Sequence, residues 1–321
     1  MKKTWLIPLL SAAMLACTLP AQAQTYPAKP VKFIVPYPPG GTTDVLARAV
    51  AKALFAKWNQ PVVIENHGGA GGNIGAEMVY RADPDGYTLL FASPGPLAIN
   101  KDLYAKVGYE PEKFVPISIV ADVPNVLVTG KRLKIQSVQA LIELARKEPG
   151  KLNYASQGNG STSHLSAEML KSMAGINIVH VPYKGSSPAL TGLISGETDM
   201  MFVELSSVLQ HIRAGTLRPL AVAGERRDPL LPDVPAMSEQ LPGFVSTTWF
   251  AMVAPPRTPQ AVVDKLSGDV AAAIKTPELA KLMADINLQA GGTDSAQTQA
   301  FLARERERWS KVIRMTGAQV E

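Results

Sequence analysis

"IVPYPPGGTTDVLARAVA", Ile34 to Ala51, decides how this chain is read. Its left part is apolar and strand-like, and its right part repeats apolar residues at helical spacing. Between them the chain has almost no side chains to offer. Gly40 and Gly41 tolerate positive φ and let a ligand reach the main chain. The helix that follows opens on N–H groups without intrahelical acceptors, and its dipole adds partial positive charge there. A strand feeding a helix in this way builds an anion site from backbone. Tyr37 leads into the loop, and Thr42 and Thr43 add hydroxyls. Asp44 suits a first-turn partner of the N–H groups better than a ligand contact. The same residues also fit a tight strand-to-helix turn with ordinary capping.

A second copy of the device favours the anion reading. "YASQGNGSTSHL", Tyr154 to Leu165, takes Ser156 at the end of the strand "KLNYASQ", passes Gly158 and Gly160, and enters a helix through Ser161, Thr162, Ser163 and His164. Two such N-termini facing one cleft would grip an anion from both sides without an arginine. The His164 ring either joins them or sits in the helix as a packing or surface residue.

Strand, loop and helix alternate along the whole chain, which predicts an α/β fold. "PISIVADVPNVLVTG" carries one or two strands. Ser137 is expected to cap the helix "SVQALIELARKEP", and Gly175 to end the helix "STSHLSAEMLKSMAG". In "SSPALTGLISG" the expected cap is Ser187, with Pro188 in the first turn and Gly196 past the end. "TTWFAMVAP" resembles a strand of the first unit. The chain is therefore expected to leave one lobe near Asn125 and return near Ser246. That assigns 24–124 and 246–321 to lobe one and 125–245 to lobe two, with a ligand cleft between them.

"MKKTWLIPLLSAAMLACTLPAQA" reads as a secretory signal: Lys2 and Lys3, an apolar run, and Ala21-Gln22-Ala23 for cleavage before Gln24. The alternative is lipidation at Cys17, but Leu15 lies one place nearer the cysteine than a lipobox usually has. Cys17 is the single cysteine, so the mature chain has no disulfide and no thiolate. No later apolar run reaches the roughly 18–20 residues of a membrane span. The net charge of +5 includes the two signal lysines; without them 30 basic residues face 27 acidic ones. That balance, with no basic run interleaved with aromatics, argues against a nucleic-acid partner. These features fit an exported periplasmic protein.

Other motifs carry less. "NHGGAGGNIGAE" spaces its glycines as A-x-G-x-x-G from Ala70 and lacks G-K-[ST], so it reads as a glycine-rich turn that packs a helix. Ser93, at the end of the strand "YTLLFAS", would face the cleft if that strand and the first share its edge. Tyr183 in "VPYKGSSPAL" could come near it, while Lys184 reads as a solvated loop charge. His67, His164, His180 and His211 show no metal-ligand spacing, and no G-x-S-x-G occurs. No cofactor, metal or catalytic group is therefore expected.

At this point four blocks resemble a known family: "YPAKPVKFIVPYPPGGTTDVLARAVA", "VVIENHGGAGGNIGAEMVYRADPDGYTLLF", "HVPYKGSSPALTGLISGETDMMF" and "LRPLAVAGERRDPLLPDVPAMSEQ". In order and from about Tyr26 onward, they are similar to the Bug family, the periplasmic substrate-binding components of tripartite tricarboxylate transporters. The resemblance implies a type II periplasmic-binding-protein fold, two lobes closing on a small di- or tricarboxylate, acidic amino acid or aromatic acid. It implies that backbone N–H groups, hydroxyls and ordered water in Tyr37–Asp44 and Ser156–His164 hold the carboxylate. It also implies two membrane subunits, one large and one small, as partners; the receptor itself is expected to be a monomer. One departure stands out. After "DMMF" many relatives have Asp or Asn near the cleft, and here the run is Val203-Glu204-Leu205-Ser206. Glu204 either faces the ligand, where it would repel a second carboxylate and accept from an amine or hydroxyl, or points to solvent. The alternative functions are a secreted hydrolase using the same cleft and a ligand-sensing partner of a membrane signalling protein.

Overall fold

The computed structural model describes residues 26–320. The signal segment, its cleavage site and Cys17 lie outside the described residues. The first half runs β1 (Val31–Val35), α1 (Thr42–Trp58), β2 (Val62–Asn66), α2 (Asn73–Tyr80), β3 (Thr88–Ala92), α3 (Asn100–Leu103) and β4 (Val115–Gly130). Then follow α4 (Val138–Lys147), β5 (Asn153–Ser156), α5 (Thr162–Ala174), β6 (Val179–Pro182), α6 (Ser186–Ser195), β7 (Met200–Glu204), α7 (Leu205–Arg213) and β8 (Leu217–Val222). The chain closes with β9 (Thr247–Ala254), α8 (Gln260–Ile274), α9 (Pro277–Asp285), β10 (Gln289–Ala290) and α10 (Ser295–Thr316).

Two similar strand sets meet on β4. In one, β1 pairs in parallel with β2 and β3, and β9 runs antiparallel between β3 and the first part of β4. In the other, β5 pairs in parallel with β6 and β7, and β7 and β8 run antiparallel to the last part of β4. "PISIVADVPNVLVTG" is thus a single long strand. It pairs with β9 through Pro124 and with β7 from Asn125 onward. Pro124 has no N–H to give to a ladder, which suits a point where pairing changes hands.

Helices cover both faces of each set because their apolar residues recur on one side. In α1, Leu46, Ala47, Val50, Ala51 and Leu54 are buried, while Arg48, Lys52 and Phe55 are exposed. Ser137 caps α4 by accepting from Ala140 N at 3.1 Å, and Gly175 and Gly196 end α5 and α6 in the left-handed region. The start of α6 differs from expectation. Its cap residue is Gly185, which offers no side-chain acceptor, and Ser187 lies within the helix. The helix α10 packs against both β4 and α5, and its Glu305 Oε2 accepts from Trp249 Nε1 at 2.8 Å. Among the described residues no helix is long and apolar enough to cross a membrane.

Candidate functional site

The parallel strands β1, β3, β5 and β7 all end towards one crevice, the usual ligand position outside the carboxyl ends of strands in α/β sheets. A cavity of about 490 Å³ lies there. Its wall combines the loop after β1, Ser93 after β3, the loop after β5, the Tyr183–Pro188 segment after β6, and Glu204 at the end of β7.

The first segment is locked from behind. Asp44 accepts from Gly40 N at 3.0 Å, Arg48 Nε at 3.0 Å and Asn66 Nδ2 at 2.9 Å. Asn66 Nδ2 also reaches Tyr37 O at 3.1 Å. Burial works against the Asp44 anion, yet these donors outweigh it and hold the carboxyl below its usual range. Asp44 is thus committed to shaping the loop. Gly41 precedes α1 without a side-chain cap, so no cap side chain accepts from the first N–H groups of α1. Thr43 lies in the cavity wall. Ser93 Oγ donates to Tyr37 Oη at 2.7 Å, and both side chains line the cavity; burial pushes the Tyr37 phenol up.

The second segment is built differently. Ser161 caps α5, accepting from His164 N at 3.2 Å and donating to Gly158 O at 2.7 Å. Thr162 Oγ1 meets Thr248 Oγ1 at 2.7 Å. Gly158, Gly160, Ser161 and Thr162 line the cavity; Ser156, Ser163 and His164 do not. They form the layer behind it. Ser163 Oγ donates to Phe202 O. The His164 ring stacks on His180 at 4.3 Å, and His180 stacks on Tyr154 at 4.7 Å. Burial is the main cause that lowers these histidines, to about 4 for His164 and about 3 for His180. Ser156 Oγ lies 2.6 Å from His180 Nε2, a nucleophile-and-base distance, but Ser156 is fully buried away from the cavity.

Of the other expected residues, Gly40 is exposed beside the wall, with its N–H given to Asp44. Tyr183 lines the cavity, but its hydroxyl is turned to α6, where it occupies the space a Cβ at Gly192 would need. Glu204 does not point to solvent: it is 5% exposed and lines the cavity. Burial pushes its carboxyl up, and the hydrogen bond from Gln157 Nε2 opposes this.

The sequence does not place several wall residues in the site. Gly68 to Gly72 border the cavity, so the glycine-rich turn does more than pack a helix. Its Gly75 does pack one: a Cβ there would sit 2.9 Å from Pro36 Cβ. Gln157, Asn159 and Thr248 join the wall, as does Lys184, which is exposed as a loop charge should be. The two sides of the cavity touch, with Thr42 Oγ1 3.1 Å from Ser207 Oγ and Tyr104 Oη donating to Asn159 O at 3.3 Å. Among the described residues no cluster of His, Cys, Asp and Glu could hold a metal ion.

The comparisons with known proteins agree with this architecture. A model of the tripartite tricarboxylate transporter family receptors matches residues 46–318. Protein BugT of Bordetella pertussis is 40% identical over 305 residues, 94% of each chain. The structure of R. palustris Rpa4515 with adipate superposes with a TM-score of 0.88 at 38% identity, covering 92% of this chain and all of that one. MatC from Rhodopseudomonas palustris, with bound malate, gives 0.84 at 30% identity, covering 90% of this chain and all of that one. The fold is the two-lobed, type II periplasmic-binding-protein fold. The chain belongs to the tripartite tricarboxylate transporter receptor family and is a periplasmic solute-binding protein.

Proposed function

We propose that this receptor captures a small carboxylate between its lobes and delivers it to the large and small membrane subunits of a tripartite transporter. One observation carries the reading: a cavity of about 490 Å³ whose wall presents the uncapped N–H groups of α1 together with hydroxyls and glycines from two facing segments. The carboxylate would lie against Gly41–Asp44 on one side and Gly160–Thr162 on the other, held by backbone donors, by Thr43 and by water. The lobes would be 24–124 with 246–321, and 125–245. Their hinge would lie where Asn125 N donates to Ser246 O at 3.1 Å and Asn125 Nδ2 to Ser246 Oγ at 2.8 Å. Adipate and malate in the two solved relatives support a carboxylate here.

A thermal-shift panel of mono-, di- and tricarboxylates, acidic amino acids and aromatic acids, each beside its amide, tests the reading. A ligand at about 100 times its dissociation constant adds roughly 2.7 kcal/mol, a rise on the order of 5–10 °C. A rise with one acid class and none with its amide is expected. Folded, ligand-free protein that responds to no carboxylate would sink the proposal.

Gly41 offers a sharper probe. Its φ is −80°, and the atom nearest a Cβ there is Ser186 Oγ at 4.0 Å, so alanine fits. Gly41→Leu should fill ligand space and weaken binding at least tenfold, about 1.4 kcal/mol, while Gly41→Ala changes little. Titration calorimetry of the two variants checks this; equal affinities would place the ligand elsewhere.

A further inference from the structure

A receptor for any small carboxylate has no need of a buried acid in its cavity wall, and this one has Glu204. Its carboxyl accepts from Gln157 Nε2 and from its own backbone N–H, and among the described residues no cation pairs with it. The other charged side chains of the wall do not compensate. Asp44 is an acid already paired with Arg48 at 2.9 Å, and Lys184 is exposed on the loop after β6. The register that pairs Glu204 with Asn125 fixes its backbone at the point where β4 passes between the two strand sets.

We propose that Glu204, positioned by Gln157, selects the ligand: a carboxylate that carries an ammonium or N–H donor at its other end. This rests on the carboxylate reading above. A second carboxylate beside Glu204 would put two like charges in one dry site, which a proton must relieve. An ammonium instead supplies the missing countercharge through a charge-assisted hydrogen bond. A neutral N–H donor to the same carboxyl gains less.

The test uses ligand pairs that share one spacer and differ only at the far end. These are β-alanine and succinate, γ-aminobutyrate and glutarate, δ-aminovalerate and adipate, and p-aminobenzoate and terephthalate. Calorimetry at pH 7 on the mature wild-type protein should show the amino member of the best-binding pair at least about tenfold tighter than its diacid. In Glu204→Gln the ratio should shift at least tenfold towards the diacid. A diacid that equals or beats its amino partner in the wild type, or a ratio unmoved by Glu204→Gln, overturns the inference and leaves the carboxylate reading standing. Binding of no member by either protein overturns both. If Glu204→Gln fails to fold, the wild-type ratio alone decides.

Discussion

Lowering the pH from 7 to 5 is expected to remove about 4 kcal/mol of folding stability through His164 and His180 alone. The rings stack 4.3 Å apart behind the second segment, with Lys171 nearby disfavouring their charged forms. Gly160 N points at His164 Nδ1 from 3.4 Å, which makes that nitrogen an acceptor and the ring neutral. In the unfolded chain each histidine takes up its proton near pH 6.5; in the folded protein uptake waits until about 4 and about 3. The unfolded state therefore binds more protons through this window, and stability falls as pH drops below about 6.5. By pH 5 the loss is about 2 kcal/mol per ring. Glu204 and Asp122, whose burial raises their carboxyl pKa values, act with the opposite sign and stabilise on acidification. The paired carboxylates Asp44 and Asp269 lose their contribution only at lower pH. Denaturant titrations at the two pH values, on the wild type and on His164→Gln/His180→Gln, isolate the histidine share. A double variant with undiminished pH dependence between 7 and 5 would contradict it.

Gly160→Ala should weaken ligand binding by roughly a hundredfold. Gly160 has φ +80°, and a Cβ there would lie 2.3 Å from Asn100 Oδ1 across the cleft. Asn100 has no room to retreat: it is fully buried, and its Nδ2 donates to Gly71 O at 3.0 Å and Asn73 Oδ1 at 2.7 Å. The variant must either keep the second segment away from the first or break that network. Gly40→Ala is the control. It has φ +90° with no atom within 4 Å of its Cβ, so it carries the backbone strain of about 1–2 kcal/mol without the clash. Calorimetry should show Gly160→Ala impaired far more than Gly40→Ala. Similar losses in both would assign the effect to strain and not to contact between the segments.

The α/β class and the first segment were legible because the information is local. Glycines, threonines and the strand-to-helix change lie side by side in Tyr37–Asp44, and the structure puts Gly41 to Asp44 in the cavity wall. In the second segment residue type was misleading. Ser156, Ser163 and His164 share the chemistry of their neighbours, but strand alternation and the helical period turn them towards the core. Gln157 and Thr248 were out of reach for another reason. Thr248 enters the wall through the antiparallel register of β9 on β4, where it stands opposite Val123, and nothing in "TTWF" encodes that pairing. Glu204 was left between cavity and solvent for the same reason, since only the pairing with Asn125 fixes its side. The misplaced cap of α6 shows the limit of short motifs: Ser187-Pro188 reads as a helix start, but Gly185 lies next to the cavity and starts the helix two residues earlier.

The most direct measurement is a crystal structure of the mature protein with the acid that gives the largest thermal shift. The proposed grip predicts a carboxylate in the cavity with its oxygens about 3 Å from backbone N–H groups or bridging waters of Gly41–Asp44 and Gly160–Thr162. A carboxylate held by the Lys184 ammonium alone, or a ligand bound outside the cavity, would contradict it.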